Sequence, residues 1–186
     1  MMVLSIIAAS ACGSPQEDQA AAPSQTGPPP AATPAPAGAT DVNRLVIQAE
    51  DIPLPGFSQH GSQPIDESGV KGVAVVFGDE AGSRQLGETI VLLPDADAAR
   101  RAMQGAVSST QDQRSGVTTS AVPIGDSGVL ITGYELGGTA STMLLFSQGV
   151  ASVAMDFRSA ATDPVPVDVV TAVGARQADL LRRGLG

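Results

Sequence analysis

Few side chains in this chain could do chemistry. The single imidazole, His60, lies in Phe57-Ser58-Gln59-His60-Gly61. Histidine is the natural general base near neutral pH. No Cys, Tyr or second His stands nearby in sequence to build a relay, so this segment reads as a polar loop with a solvated His60. Asp66-Glu67 and Asp79-Glu80 are adjacent acidic pairs. Paired carboxylates can hold Ca²⁺ or divide acid and base roles in glycoside hydrolysis, but the spacing is not that of an Asp-x-Asp-x-Asp-Gly loop. Solvated turns are the expectation. Gly133-Tyr134-Glu135-Leu136-Gly137-Gly138 is glycine-rich yet lacks the Gly-x-Gly-x-x-Gly spacing and a following helix, which predicts a hairpin turn. Ser127, in Gly125-Asp126-Ser127-Gly128, is not on a Gly-x-Ser-x-Gly elbow. With one His and one Cys, Cys12, most metal-site and nucleophile–histidine chemistry is removed. The expectation is a protein without catalytic residues, metal or cofactor.

Composition narrows the function classes further. The 186 residues include 19 acidic and 10 basic side chains, a net charge of -9. That balance speaks against a nucleic-acid binder, whose affinity rests on neutralising phosphates with clustered basic groups. Hydrophobic residues make up 42% of the chain and aromatic ones only 3%. A core of Val, Leu, Ile and Ala can form, whereas aromatic stacking platforms for bases or sugars are not expected. Lys71 is the only Lys among the basic residues, and with 21 Gly and 14 Pro this usage suits a GC-rich genome.

Residues 1–11, MMVLSIIAASA, form an apolar stretch without charge, ending in small residues just before Cys12. This is a secretory signal pattern and is too short to span a bilayer. Ala9-Ser10-Ala11-Cys12 resembles the bacterial lipoprotein lipobox, departing from it at Ala9, where Leu is usual. The missing basic n-region predicts a start codon further upstream. The resemblance implies a diacylglycerol on the Cys12 thiol, cleavage so that Cys12 becomes the N-terminus, and attachment to the membrane through that anchor. Two acyl chains anchor stably where one does not, at about 0.8 kcal/mol per buried CH₂. A lone Cys also excludes any intramolecular disulfide.

Residues 12–42 continue as a tether rich in Pro, Ala, Gly, Ser, Thr and Gln. Such a composition cannot bury enough apolar area to offset its ordering entropy, so a disordered spacer of polyproline II character is expected. Thr26, Thr33 and Thr40 sit beside Pro or small residues, a setting that resembles glycosylated stalks.

A single globular domain is expected over 43–186. All ten basic residues lie from Arg44 onward, against sixteen acidic ones, so this part carries about -6. Residues 73–77 and 86–93 read as strands, rich in β-branched residues and bounded by Gly and Asp. After Pro94, Asp95 has the chemistry of an N-cap for a helix from Ala96 to about Gln111, with Ala99, Ala102, Met103, Ala106 and Val107 on its apolar side. Four more strands follow, at 117–122, 128–135, 139–147 and 150–157. Asp163-Pro164 then opens a final helix to about Arg183, which Gly174 weakens by about 1 kcal/mol relative to Ala. Short glycine turns between the strands imply antiparallel pairing. The expected fold is α+β: about six antiparallel strands in one sheet with two amphipathic helices packed on it.

Three phrases, Ala49-Glu50-Asp51-Ile52-Pro53, the run from Leu93 to Arg100, and Gly149 to Phe157, make the domain similar to small secreted lipoprotein domains of mycobacteria and related actinobacteria. The resemblance carries over no catalytic residue. It implies a non-enzymatic component of the cell envelope, held outside the membrane or in the cell wall, and the expected role is a membrane-tethered interaction module whose partner, a protein or an apolar ligand, is unidentified. The alternative is a carrier of a lipid or other apolar molecule between sheet and helices. In that case Ala102, Met103 and Ala106, small or flexible side chains, are the expected lining.

Overall fold

The computed structural model describes residues 41–186. The expected signal segment, Cys12 and the tether up to Thr40 lie outside the described residues. Asp41 accepts the Asn43 amide and caps a 3-10 turn, Val42–Leu45, in which Val42 and Leu45 are buried. The packed domain therefore takes in two residues assigned to the tether by composition. A second short turn spans Ala49–Asp51.

Seven strands follow, β1 (Phe57–Glu67), β2 (Val70–Asp79), β3 (Gln85–Leu92), β4 (Thr118–Val122), β5 (Ser127–Leu136), β6 (Thr139–Gln148) and β7 (Ala151–Ala160). The helices are α1 (Ala96–Gln113), between β3 and β4, and α2 (Val167–Leu185), after β7. One antiparallel sheet runs in the order β1-β2-β3-β7-β6-β5-β4. The sheet thus has seven strands where six were expected. The missing one is β1, read from sequence as the loop around His60. It is an edge strand paired only with β2, and most of its residues are exposed on both faces. No apolar alternation marks it. A register irregularity lies between Gln59 and Gly61, so His60 occupies a bulge within a strand rather than a loop.

Strand β6 explains the placement of the helices. Met143-Leu144-Leu145-Phe146 is a continuous apolar run, and successive side chains point to opposite faces, so both faces must be covered. On one face Leu144 and Phe146 join Phe77, Leu86, Ile90, Val153, Met155 and Phe157, covered by Val170, Val173 and Leu181 of α2. On the other, Leu145 packs with Ile131 and with Met103 of α1. The helices therefore sit on opposite faces.

The first face is closed in two pieces. Beside α2, the segment 42–54 contributes Leu45, Val46, Ile47 and Ile52 to the same core. Gln177, fully buried on α2, ties the pieces together. Its Nε2 donates to the Leu45 carbonyl (2.6 Å), and the Ile47 amide donates to its Oε1 (3.0 Å). Gly174 lets α2 approach the sheet, because a Cβ there would run into the Leu144 side chain. α2 begins at Val167 with Pro166 at its N-cap, three residues after Pro164.

The second face is covered only in part. α1 lies over β6 and β7, with Ala106 and Val107 packed against the small cluster that includes Val129, Met143 and Ala154. The corresponding face of β2 and β3 carries Ala74, Val76, Gly87 and Thr89 and is open; Val76 is 43% exposed.

Candidate functional site

Directly opposed residues in an antiparallel sheet share a face. At the end of the open face where α1 terminates, one such row runs across five strands: Gly78 on β2, Gln85 on β3, Arg158 on β7, Ser141 on β6 and Tyr134 on β5. Asp156, two residues before Arg158, lies on the same face in the next row, opposite Gly87 and Met143. Arg114, the C-cap of α1, reaches down to this row.

Asp156 organises the charges. Its side chain is only 15% exposed, and at such depth a lone carboxylate would be costly. Arg158 donates to Asp156 Oδ2 through Nε (2.8 Å) and stands 2.7 Å from it at Nη2. Arg114 Nη2 lies 3.6 Å from the same oxygen, while its Nη1 donates to Ser141 Oγ (2.8 Å). Ser141 in turn donates to Asp156 Oδ1. The Arg114 guanidinium also sits over the Tyr134 ring, 4.4 Å from its centroid, a cation–π contact. Two guanidinium groups around one carboxylate leave one positive charge in excess, in a domain whose net charge is about -6.

Arg158 is the common wall of three adjoining grooves. The first, about 330 Å³, is floored by Gly87 and Ala154 and bordered by Val76, Gln85, Thr89, Met143 and Asp156. A second, about 300 Å³, runs between Arg114, Tyr134, Leu136, Thr139 and Ser141. The third, about 320 Å³, lies toward the β2–β3 turn at Gly82 and Ser83. Val76 and Leu136, two of the three large apolar side chains exposed among the described residues, border the first two grooves.

The residues singled out from sequence fall mostly elsewhere. His60 does reach the open face, its ring against Gly78 on β2, a position two strand spacings, about 10 Å, from Arg158 on β7. Asp66 and Glu67 end β1, where Asp66 pairs with Lys71 (3.5 Å). Asp79 closes the β2–β3 turn by accepting from the Ser83 amide (2.7 Å) and hydroxyl; that hydroxyl is the main reason its carboxyl is held below the usual range. Ser127 starts β5, and Gly137-Gly138 form the β5–β6 hairpin turn, as the glycine pattern predicts. Of the expected apolar lining, Met103 is buried against Ile131 and Leu145, Ala106 packs beside it and Ala102 is half-buried. The three grooves around Arg158 are lined by other residues.

Sequence reasoning missed the arginines. Arg114 and Arg158 are 44 positions apart in the chain, and only strand register unites them. One local signal was available: Asp156-x-Arg158 in a strand puts opposite charges on one face.

A second missed group lies on the closed face. Glu88 shares a side of β3 with Leu86 and Ile90 and stands opposite Val75 and Met155. It is 1% exposed, and neither carboxylate oxygen has a hydrogen-bond partner among the described residues. Burial pushes its carboxyl up to about 8, so near neutral pH Glu88 is mostly uncharged.

The architecture is that of an α+β domain with a seven-stranded antiparallel sheet. It shares this fold with the extracellular domain of PknH from Mycobacterium tuberculosis, at a TM-score of 0.55 and 9% identity, over 76% of this chain and 95% of that one. No family model and no curated protein matches the sequence. No helix among the described residues is long and apolar enough to cross a membrane.

Proposed function

We propose that this chain is an extracytoplasmic interaction module, tethered to the membrane through a lipid on Cys12, which acts without catalysis by offering the open face of its sheet to a binding partner. The observation that carries this reading is the asymmetry of the sheet: one face is sealed by α2 and residues 42–54, and the other leaves a groove floored by rigid strands. The likeness to a mycobacterial extracellular domain supports the extracytoplasmic placement. The lipobox-like Ala9-Ser10-Ala11-Cys12 supports the anchor. The non-catalytic reading rests on the groove's own chemistry: Ser141 is 5% exposed and accepts from Arg114, while Asp156 is engaged by two arginines, so neither is free as nucleophile or base.

Two experiments test the two halves. Labelling with radioactive palmitate marks the intact protein, expressed with an adequate upstream start, and Cys12→Ala abolishes the label; unchanged labelling rules out the anchor. A photo-cross-linking residue at position 85, on the groove rim, yields a discrete adduct in cells, whereas one at 183 on the exposed side of α2 does not. Equal adducts from both positions would count against a recognition face.

The carrier reading is favoured by one observation only, the apolar borders of the first groove at Val76 and Met143. It would place the ligand on the open sheet and not between sheet and α1.

A further inference from the structure

Resting on the open-face reading, we propose that the first groove binds a small amphiphilic monoanion, its carboxylate or phosphodiester head on Arg158 and its apolar part across Gly87 against Val76 and Met143. Charge complementarity fixes the head. Asp156 takes Nε and Nη2 of Arg158, which leaves Nη1 as the edge for a ligand on a side chain that is 57% exposed. The cluster of Arg114, Asp156 and Arg158 carries one net positive charge, with Arg158 and Asp156 lining this groove and Arg114 the adjoining one, and a guanidinium edge suits the oxygens of carboxylate and phosphate alike. Arg114, held by Ser141 and by the Tyr134 face, keeps Asp156 in place and its charge balanced.

The tail is read from the floor and walls. Gly87 lies in mid-strand with no atom within 4 Å of where a Cβ would project, so the missing side chain leaves open space above the sheet. Glycine weakens a strand interior and commonly marks close approach by a ligand. Val76 is 43% exposed at one wall, and Met143, an adaptable side chain, stands at the other. The space of about 330 Å³ falls at the small end of ligand pockets, enough for a short chain.

The test is an NMR amide-shift titration of the full-length protein with octanoate and with dibutyl phosphate, using octanol and octylamine as charge controls. The expected result is saturable shifts at Val76, Gly87 and Arg158 with the anions, at least tenfold tighter than with either control. Arg158→Gln weakens the anions by tenfold or more and removes the preference over octanol. Gly87→Leu, whose side chain enters open space, abolishes binding with an unchanged melting temperature, so a folding failure of the Arg158 variant cannot hide the outcome. Co-flotation of the Cys12→Ala form, which carries no acyl anchor, with phosphatidylcholine vesicles containing phosphatidylglycerol distinguishes the sources: flotation that is lost on adding either groove substitution assigns a lipid headgroup, and no flotation of any form assigns a free amphiphile. Equal affinity for octanoate and octanol, or anion binding unaffected by Gly87→Leu, would overturn the proposal. Absence of groove shifts with the position-85 cross-link intact overturns the ligand class alone, whereas loss of both overturns the open-face reading with it.

Discussion

Replacing Glu88 by Gln tests the deepest feature of the closed face. Its carboxyl is held at about 8 in the folded protein against 4.5 in an unfolded chain, entirely by burial. The folded state therefore keeps a proton that the unfolded state releases once pH passes about 4.5. Stability from this group is complete below that point, declines as pH rises, and levels off above about 8. By linkage the decline is about 1.4 kcal/mol per pH unit, and about 3 kcal/mol accumulates between pH 4.5 and pH 7. Such a loss is a large part of the 5–15 kcal/mol typical of a domain.

Glu88→Gln keeps the shape and removes the titration. The assay is urea unfolding at a series of pH values, followed by far-ultraviolet circular dichroism because the chain has no Trp. Other carboxylates tilt the profile the opposite way, Asp79 among them, but they are common to both proteins and cancel in the difference. The expected difference curve is flat below pH 4.5 and rises in favour of the variant by about 3 kcal/mol at pH 7, flattening above pH 8. Parallel curves from pH 5 to 8 would refute the reasoning, since they require Glu88 to be solvated or paired when folded. Glu88→Leu extends the test: the apolar replacement removes both unsatisfied oxygens and is expected to exceed the Gln variant in stability at every pH.

Gly174→Ala, ordinarily a gain of about 1 kcal/mol in a helix, is expected to lower the melting temperature, because the new methyl group meets Leu144 and overpacking costs about 1–3 kcal/mol. Gln177→Leu strands the Leu45 carbonyl and the Ile47 amide, at about 1–3 kcal/mol for each unsatisfied group; hydrogen exchange at Ile47 should accelerate more than at Ile90. Met103→Ala should cost about 2–5 kcal/mol, the response of a filled core beneath α1. A neutral effect, with an apolar molecule in the solvent extract of the purified protein, would restore the carrier site at Ala102, Met103 and Ala106.

How much of this was legible depends on what each element buries. β7 alternates Val153, Met155 and Phe157 with Ala154 and Asp156, so its period and its two faces could be read directly. α1 announced itself through Asp95, which accepts the Ala98 amide at 2.7 Å, and through small residues at helical spacing. β1 was invisible because an edge strand exposed on both faces has no apolar stripe to display, and Gly61 and Pro64 argue against a strand. Gly174 was misjudged for a related reason: propensity prices the residue in an isolated helix, while its value here lies in the approach to Leu144. Glu88 left a readable trace, a carboxylate in phase with Leu86 and Ile90. The groove left almost none, since Arg114 and Arg158 meet only after the order β3-β7-β6 is known.

The two faces of the sheet separate stability from recognition, and consecutive residues of one strand show how. Gly87 and Glu88 are neighbours on β3, yet one floors the open groove and the other is sealed among Val75 and Met155. On the closed face every substitution is felt through packing, because neighbouring atoms leave no room to adjust. Across the groove, side chains such as Gln85 can change without disturbing the core, so binding chemistry there is free to vary. Asp156 is the position where the two roles meet. It lies near the edge of α1's cover, is 15% exposed, and needs Arg114 and Arg158 to offset its desolvation. The same requirement that keeps a largely buried carboxylate stable places a cluster with one surplus positive charge along the boundary of the first two grooves. The anion preference proposed for the open face is thus a consequence of folding around Asp156.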